Sequence, residues 1–377
     1  MANGVRRFQC EDQKIRLLTN NTIDMSTVTS GLVCAHHHLY SSLARGMPAP
    51  PKQPTSFIDI LENIWWRLDS ALDLEMIYWS AALGATEALM SGTTCIIDHH
   101  ESPFAIEGSL SVIAKACADV GVRVNACYGV TDRWTKNGQV SKVSPLSPST
   151  DMAKQGLKEN DRFLGEGGRG MVGVHAAFTC SDETLHAASD LARRHKVGVH
   201  IHVAEALTDA GAGARLVDLA NDDWLLIHAV HLDRHLAGRI VHNPRSNMNN
   251  AVGYGAPSRH ANKVLLGTDG IGADMFEELR LAYVRLREYD MTESPDTVME
   301  WLNNGTEIFP EALHDEVTWN YDHADSPWHV AFTPGTRALD VIIDGEKVLS
   351  GGLPTRVDLH EVRAKASEQA RRLHERL

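Results

Sequence analysis

No stretch of the 377 residues approaches the roughly 18 consecutive apolar positions that a membrane-spanning helix needs, and a membrane protein is therefore not expected. Basic residues are also in short supply, with 36 Lys and Arg against 49 Asp and Glu and a net charge of −13. A nucleic-acid backbone calls for a clustered basic surface, which the sequence does not offer, so no nucleic-acid partner is expected. The six cysteines (Cys10, Cys34, Cys95, Cys117, Cys127 and Cys180) include no CxxC pair. That spacing suits reduced, buried thiols better than a disulfide framework or a thiolate zinc site. The opening residues MANGVRRFQCEDQK lack the apolar segment and small-residue cleavage site of a secretory leader, so a cytoplasmic enzyme acting on a small molecule is the expectation. A homo-oligomer is compatible with such an acidic chain, but no segment marks an interface.

Histidine is plentiful: 20 residues, gathered in the strings AHHHLY, DHHES, VHIHVAE and IHAVHLD. Around them, short β-branched runs alternate with helical patterns, as in repeated βα units with a parallel sheet. Eight strands are expected at 31–35, 93–98, 122–128, 171–175, 198–202, 224–228, 239–242 and 263–269. Amphipathic helices are expected at 74–90, 108–119, 181–195 and 275–287. The fold class is thus α/β, a (β/α)₈ barrel over 30–325, a size that leaves room for a small accessory layer. Residues 1–29 and 326–354 are expected to pair into an abbreviated β-sandwich, with Asp344-Gly345 turning a hairpin, and 355–377 to form a charged, solvated terminal helix.

Reactive residues of such barrels sit at the C-terminal ends of strands, and the histidine strings fall there. His36 and His38, two apart on an extended segment, point to one side and can reach one metal ion. An isolated HxH fits a structural pair equally well. The fifth strand adds His202, with Glu205 close behind, and the eighth ends in LLGTDG, which presents Asp269; a turn or capping aspartate is the alternative there. Three imidazoles and one carboxylate around a divalent cation leave a position for water, whose pKa the metal lowers towards 7. Asp269 could then take a proton and Glu205 deliver one, while His228 polarises the bond under attack or is simply a buried, hydrogen-bonded histidine. One divalent ion is expected, zinc by first choice, although iron and manganese accept the same ligands. His37, His99 and His100 line the pocket or bond barrel loops, and Trp65 and Trp66 stack on a ring or belong to the core. Arg245, Asn247 and Asn249 are expected to organise the seventh loop.

The motifs GLVCAHHHLYSSLARG, GTTCIIDHHESP with IEGSL, VTDR, GVHAAFTCSDETL, VHIHVAEA, LIHAVHLD, VHNPRSNMNNAVG and LGTDGIGADMFEE together cover residues 32–280. They resemble the amidohydrolase superfamily, its deaminase and chlorohydrolase branch, and within it the SsnA-type aminohydrolases. The resemblance implies His36, His38, His202 and Asp269 as metal ligands, Glu205 as the proton-shuttling glutamate, and His228 as the histidine touching water and substrate. It places His175 among substrate contacts, and the lack of a carboxylated-lysine position on the fourth strand implies one metal ion rather than two. The chain departs from the family pattern at Ser30-Gly31, where Pro-Gly is usual, and in short segments after Ala210, His231 and Gly253.

The expected activity is hydrolysis of a C–N bond in a small cyclic amidine-like or heterocyclic substrate, with release of ammonia. The alternatives are a cyclic amide hydrolase or chlorohydrolase using the same centre and, from another class, a non-catalytic metal-binding protein.

Overall fold

The computed structural model describes residues 26–135 and 137–377, so most of the expected N-terminal half of the sandwich, residues 1–25, lies outside the described residues. Eight parallel strands form the centre: β1 (Leu32–His38), β2 (Thr93–His100), β3 (Arg123–Tyr128), β4 (Val172–Ala176), β5 (Val199–Val203), β6 (Leu225–His228), β7 (Arg239–His242) and β8 (Val264–Leu266, resumed at Asp269–Gly270). β1, β2 and β3 pair in order, as do β4 to β8. Both seams between the two sheets are joined. Asp269 and Gly270 pair in parallel with His37 and His38, and the bridges Ala126–Gly170 and Val130–Val174 link β3 to β4. The result is the expected (β/α)₈ barrel.

Strands such as VHIHV are buried at every position because the barrel interior takes one face and the helix layer the other. Helices begin on side-chain caps, Asp73 for Leu74–Met90, Ser181 for Asp182–His195 and Asp274 for Met275–Tyr289, each accepting a first-turn backbone N–H. A further helix, Asp151–Gly165, was not expected, since Gly156 interrupts its pattern. That glycine packs on Tyr128, where a Cβ would stand 3.0 Å from the ring. The outer layer thins after the fifth strand, as the short segments implied. A 3-10 turn at Leu207–Asp209 and the one-turn helix Ala212–Leu216 follow β5, no helix lies between β6 and β7, and Pro244–Asn249 and a 3-10 turn at Pro257–Arg259 follow β7.

An antiparallel sheet orders Val28–Thr29, Glu316–Trp319, Ala338–Ile343, Glu346–Ser350 and Leu353–Pro354. Its C-terminal strands therefore begin at Glu316, ten residues before the expected 326. Asp344 and Gly345 turn the hairpin at φ of 53° and 80°, the left-handed pair a two-residue turn demands. Helix Leu359–His374 is solvated on one face only: Val362, Ala366 and Leu373 are buried. It is tied to Leu74–Met90 and the residue capping that helix by Arg372–Glu75 (2.6 Å) and Arg376–Asp73 (2.7 Å). Among the described residues no helix is long and apolar enough to cross a membrane.

Candidate metal centre and pocket

Side chains alternate along β1, so His36 and His38 face the barrel mouth while His37 faces the helix layer beside Gly84. Asp269 meets the first two: its Oδ1 lies 3.3 Å from His36 Nε2 and 3.1 Å from His38 Nε2. His202 Nε2 comes to 3.3 Å from His38 Nε2. One donor atom from each of these four residues falls within 4.8 Å of the others. Ligands about 2.1 Å from a tetrahedral ion stand about 3.4 Å apart, so the donor set fits a divalent cation.

The outer ring nitrogens are committed in a way that turns the Nε2 atoms inward, towards one another and Asp269. His38 Nδ1–H donates to the His99 carbonyl (2.6 Å) and His202 Nδ1–H to the His175 carbonyl (2.6 Å). His36 Nδ1 bonds His200 Nε2 at 3.1 Å, and His36 Nε2 is buried with no hydrogen-bond partner. Outer contacts of this kind fix the tautomer and turn each Nε2 lone pair inward. Electrostatics agree with the geometry. Burial opposes the charge on Asp269, yet the adjoining His36 and His38 rings hold its carboxyl well below the usual range. Burial likewise works against His38, but Asp269 raises it to about 9. Burial depresses His36 and His202 well below an ordinary imidazole.

Around this group the backbone is strained. Ala204, His228, Asp269 and Ile271 hold φ of 48°, 71°, 57° and 58°, all at the ends of β5, β6 and β8. Gly267 lets β8 approach β1, because a Cβ there would stand 2.5 Å from Asn243 Oδ1 and 2.8 Å from His36 Cβ. His228 Nδ1–H donates to Asn247 Oδ1 (2.7 Å), leaving Nε2 3.5 Å from Glu205 Oε2 and 3.8 Å from Asp269 Oδ2. Burial, reinforced by Asp269, pushes Glu205 above its ordinary pKa. Ser246 donates its hydroxyl to Asp269 Oδ2, and Asn250 donates to Glu205 Oε1 at 3.3 Å.

A cavity of about 300 Å³ opens beside these residues. His38, His202, Glu205, His228 and Asp269 line it with His175 and Trp66, while Phe57, Leu61, Trp65 and Phe178 supply apolar wall. A π-helical turn at Leu61–Trp65 precedes Trp66 and presents both tryptophans to the cavity. His37 and His99 do not line it. His37 Nδ1 bonds the Asp269 carbonyl (2.8 Å) from the outer side, and His99 sits with Cys127 and His200 in a buried group of its own. His100 bonds Ser102 Oγ at 2.8 Å. Arg245 ties the seventh loop to the Thr268 and Gly270 carbonyls at 2.6 and 2.9 Å and to Glu278 at 2.9 Å. The sequence reading missed Asp69 and Glu101, which also line the cavity, and Arg133 behind them.

An eight-stranded parallel barrel with three imidazoles and a carboxylate converging at its mouth defines the class of metal-dependent barrel hydrolases. Residues 27–304 match the amidohydrolase family, and the chain belongs to that family. It is 27% identical to a 5'-deoxyadenosine deaminase of Methanocaldococcus jannaschii, over 90% of this chain and 87% of that one. It is 28% identical to a 5-methylthioadenosine/S-adenosylhomocysteine deaminase of Desulforudis audaxviator, over 94% and 89% of the two chains. The fold is shared with a zinc-bound adenosine deaminase from Xanthomonas campestris (TM-score 0.76, 21% identity, 93% of this chain and 86% of that one). It is shared as well with a zinc-complexed atrazine chlorohydrolase from Arthrobacter aurescens (TM-score 0.72, 18% identity, 92% and 88%).

Proposed function

We propose that this protein is an aminohydrolase that releases ammonia from a small heterocyclic substrate, within the adenosine-like class named for its relatives. The observation that carries this reading is the Glu205–His228 pair, 3.5 Å apart beside the inward-facing imidazole nitrogens. A divalent cation held by His36, His38, His202 and Asp269, one zinc ion by first choice, would supply Lewis acidity and lower the pKa of water. His228, with Nδ1–H committed to Asn247, offers Nε2 to accept a hydrogen bond from the attacking water. Asp269 Oδ2 is the acceptor for the first proton. Glu205, its pKa raised by burial, carries a proton to the ring nitrogen or the departing amine. Trp65, Trp66 and Phe178 exclude solvent and hold a planar ring.

In this reading the catalytic barrel runs from residue 30 to the flanking sheet, which takes Val28–Thr29 and the strands from Glu316 to Pro354, and 355–377 carry a terminal helix. The five described cysteines are free and buried, which suits a cytoplasmic setting. An ammonia-release assay over purines, their nucleosides, pteridines and triazines tests the proposal. Ammonia from at least one member, lost in Glu205→Gln, is expected. Chloride release without ammonia from a chlorinated triazine would move the protein to the chlorohydrolases.

A further inference from the structure

Two carboxylates in the cavity wall take no part in the hydrolysis outlined above. Asp69 and Glu101 both line the cavity, and each is only 2% exposed. They share a single cation: Arg133 Nη2 lies 2.5 Å from Glu101 Oε1 and 3.2 Å from Asp69 Oδ2. Arg133 itself is buried behind them, its guanidinium 4.7 Å from the Trp66 ring and 5.1 Å from the Trp134 ring. Two carboxylates against one guanidinium cannot both stay ionised without a buried surplus of negative charge, which either a proton on one of them or a further cation relieves.

The remaining oxygens are placed to receive such a cation. Asp69 Oδ1 is buried with no hydrogen-bond partner of regular geometry, and the Tyr40 hydroxyl, also in the cavity wall, is the other side chain that interacts with this carboxyl. Glu101 Oε2 has His175 Nε2 as its ion-pair neighbour, and that contact is long at 4.0 Å. Burial and the Glu101 charge push Asp69 well above the usual carboxylate range, so a cation entering the subsite takes the place of a proton there.

We propose that Asp69 and Glu101 form a second subsite of the cavity, which takes a cationic, N–H-rich group of the substrate such as an amidinium, guanidinium or protonated amine. The inference rests on the reading of this cavity as the substrate site. A neutral diol would supply donors but no charge, so the subsite separates amino-bearing ligands from ones that offer only hydroxyls.

Benzamidine and benzamide share a ring and a shape and differ in charge, which makes them the probes. Isothermal titration calorimetry on the full-length, metal-loaded protein should give benzamidine an affinity at least about 10-fold above that of benzamide, the size expected of one charged hydrogen bond. Glu101→Gln and Asp69→Asn should each reduce that ratio several-fold. Either change leaves one carboxylate for one guanidinium, so the melting temperature should stay level or rise. Equal affinities in the wild type, no detectable benzamidine binding, or a lower melting temperature with an unchanged ratio would overturn the subsite. The binding ratio is independent of turnover. If no compound releases ammonia while benzamidine is still preferred through Asp69 and Glu101, the aminohydrolase reading fails and the subsite stands. Ammonia release with no such preference overturns the subsite and leaves the aminohydrolase reading in place.

Discussion

The barrel interior holds two adjoining groups of imidazoles whose composition is alike and whose surroundings are not. His36, His38 and His202 meet Asp269 at the edge of a cavity, while His99 and His200 meet Cys127 away from it. In the first group the Nδ1 atoms bond outward, to carbonyls or to His200, and each Nε2 faces its neighbours. In the second, the bond to His36 decides the matter. If His36 Nε2 is to bind a cation, its Nδ1 carries the hydrogen and donates to His200 Nε2, which places the His200 proton on Nδ1. Neither His200 nitrogen is then a free ligand. Burial also pushes the Cys127 thiol well above its ordinary value, so no thiolate is on offer, and no carboxylate balances a cation there. Proximity of histidines does not make a metal site; the commitment of each nitrogen does. The second group is then the support of the first.

This contrast can be broken in several places. The largest effect is expected from Asp269→Ala, which would remove the proposed ligand and proton acceptor together. Turnover should fall by ~10³-fold or more, and metal content after dialysis should collapse. Glu205→Gln should keep the metal and lose ~10²- to 10⁴-fold in kcat, which separates proton transfer from ligation. Acid should act through His38. In the metal-free protein His38 is raised to about 9, so below that pH a proton must leave before a cation binds. Apparent metal affinity should therefore drop by up to about 10-fold per pH unit from 9 downward, by competition titration, and level off above 9. A flat profile between pH 7 and 9 would contradict the His38–Asp269 pairing. His200→Phe, which removes only the outer partner of His36, should weaken metal binding by about 10- to 100-fold. Cys127→Ser should change least, leaving metal stoichiometry as it is and costing about 1 kcal/mol of stability.

Much of this architecture could be read along the chain. The eight strands announce themselves as short apolar runs, and β2 to β7 begin and end within two residues of expectation. β1 runs three residues further, since His36 to His38 continue the strand as its mouth-facing end. β8 breaks at Gly267 and Thr268, where the close approach to His36 replaces regular pairing. The helix Asp151–Gly165 is hidden in the sequence because its glycine serves a contact with Tyr128 that no local pattern encodes. Within the site, residues in histidine strings were easy to single out. Asp69, Glu101 and Arg133 were not, since each lies on a different segment and only tertiary packing puts one guanidinium between two acids. A faint signal existed: Asp69 stands three residues after Trp66, on the same face of a helix as an aromatic that the sequence already offers for ring stacking.

X-ray absorption spectroscopy of the zinc-loaded protein tests the central claim most directly, because it separates the two histidine groups by ligand type. The expected first shell contains only nitrogen and oxygen scatterers at about 2.0–2.1 Å, from His36, His38, His202, Asp269 and solvent. A sulfur scatterer at about 2.3 Å would place the ion against Cys127 and contradict the account.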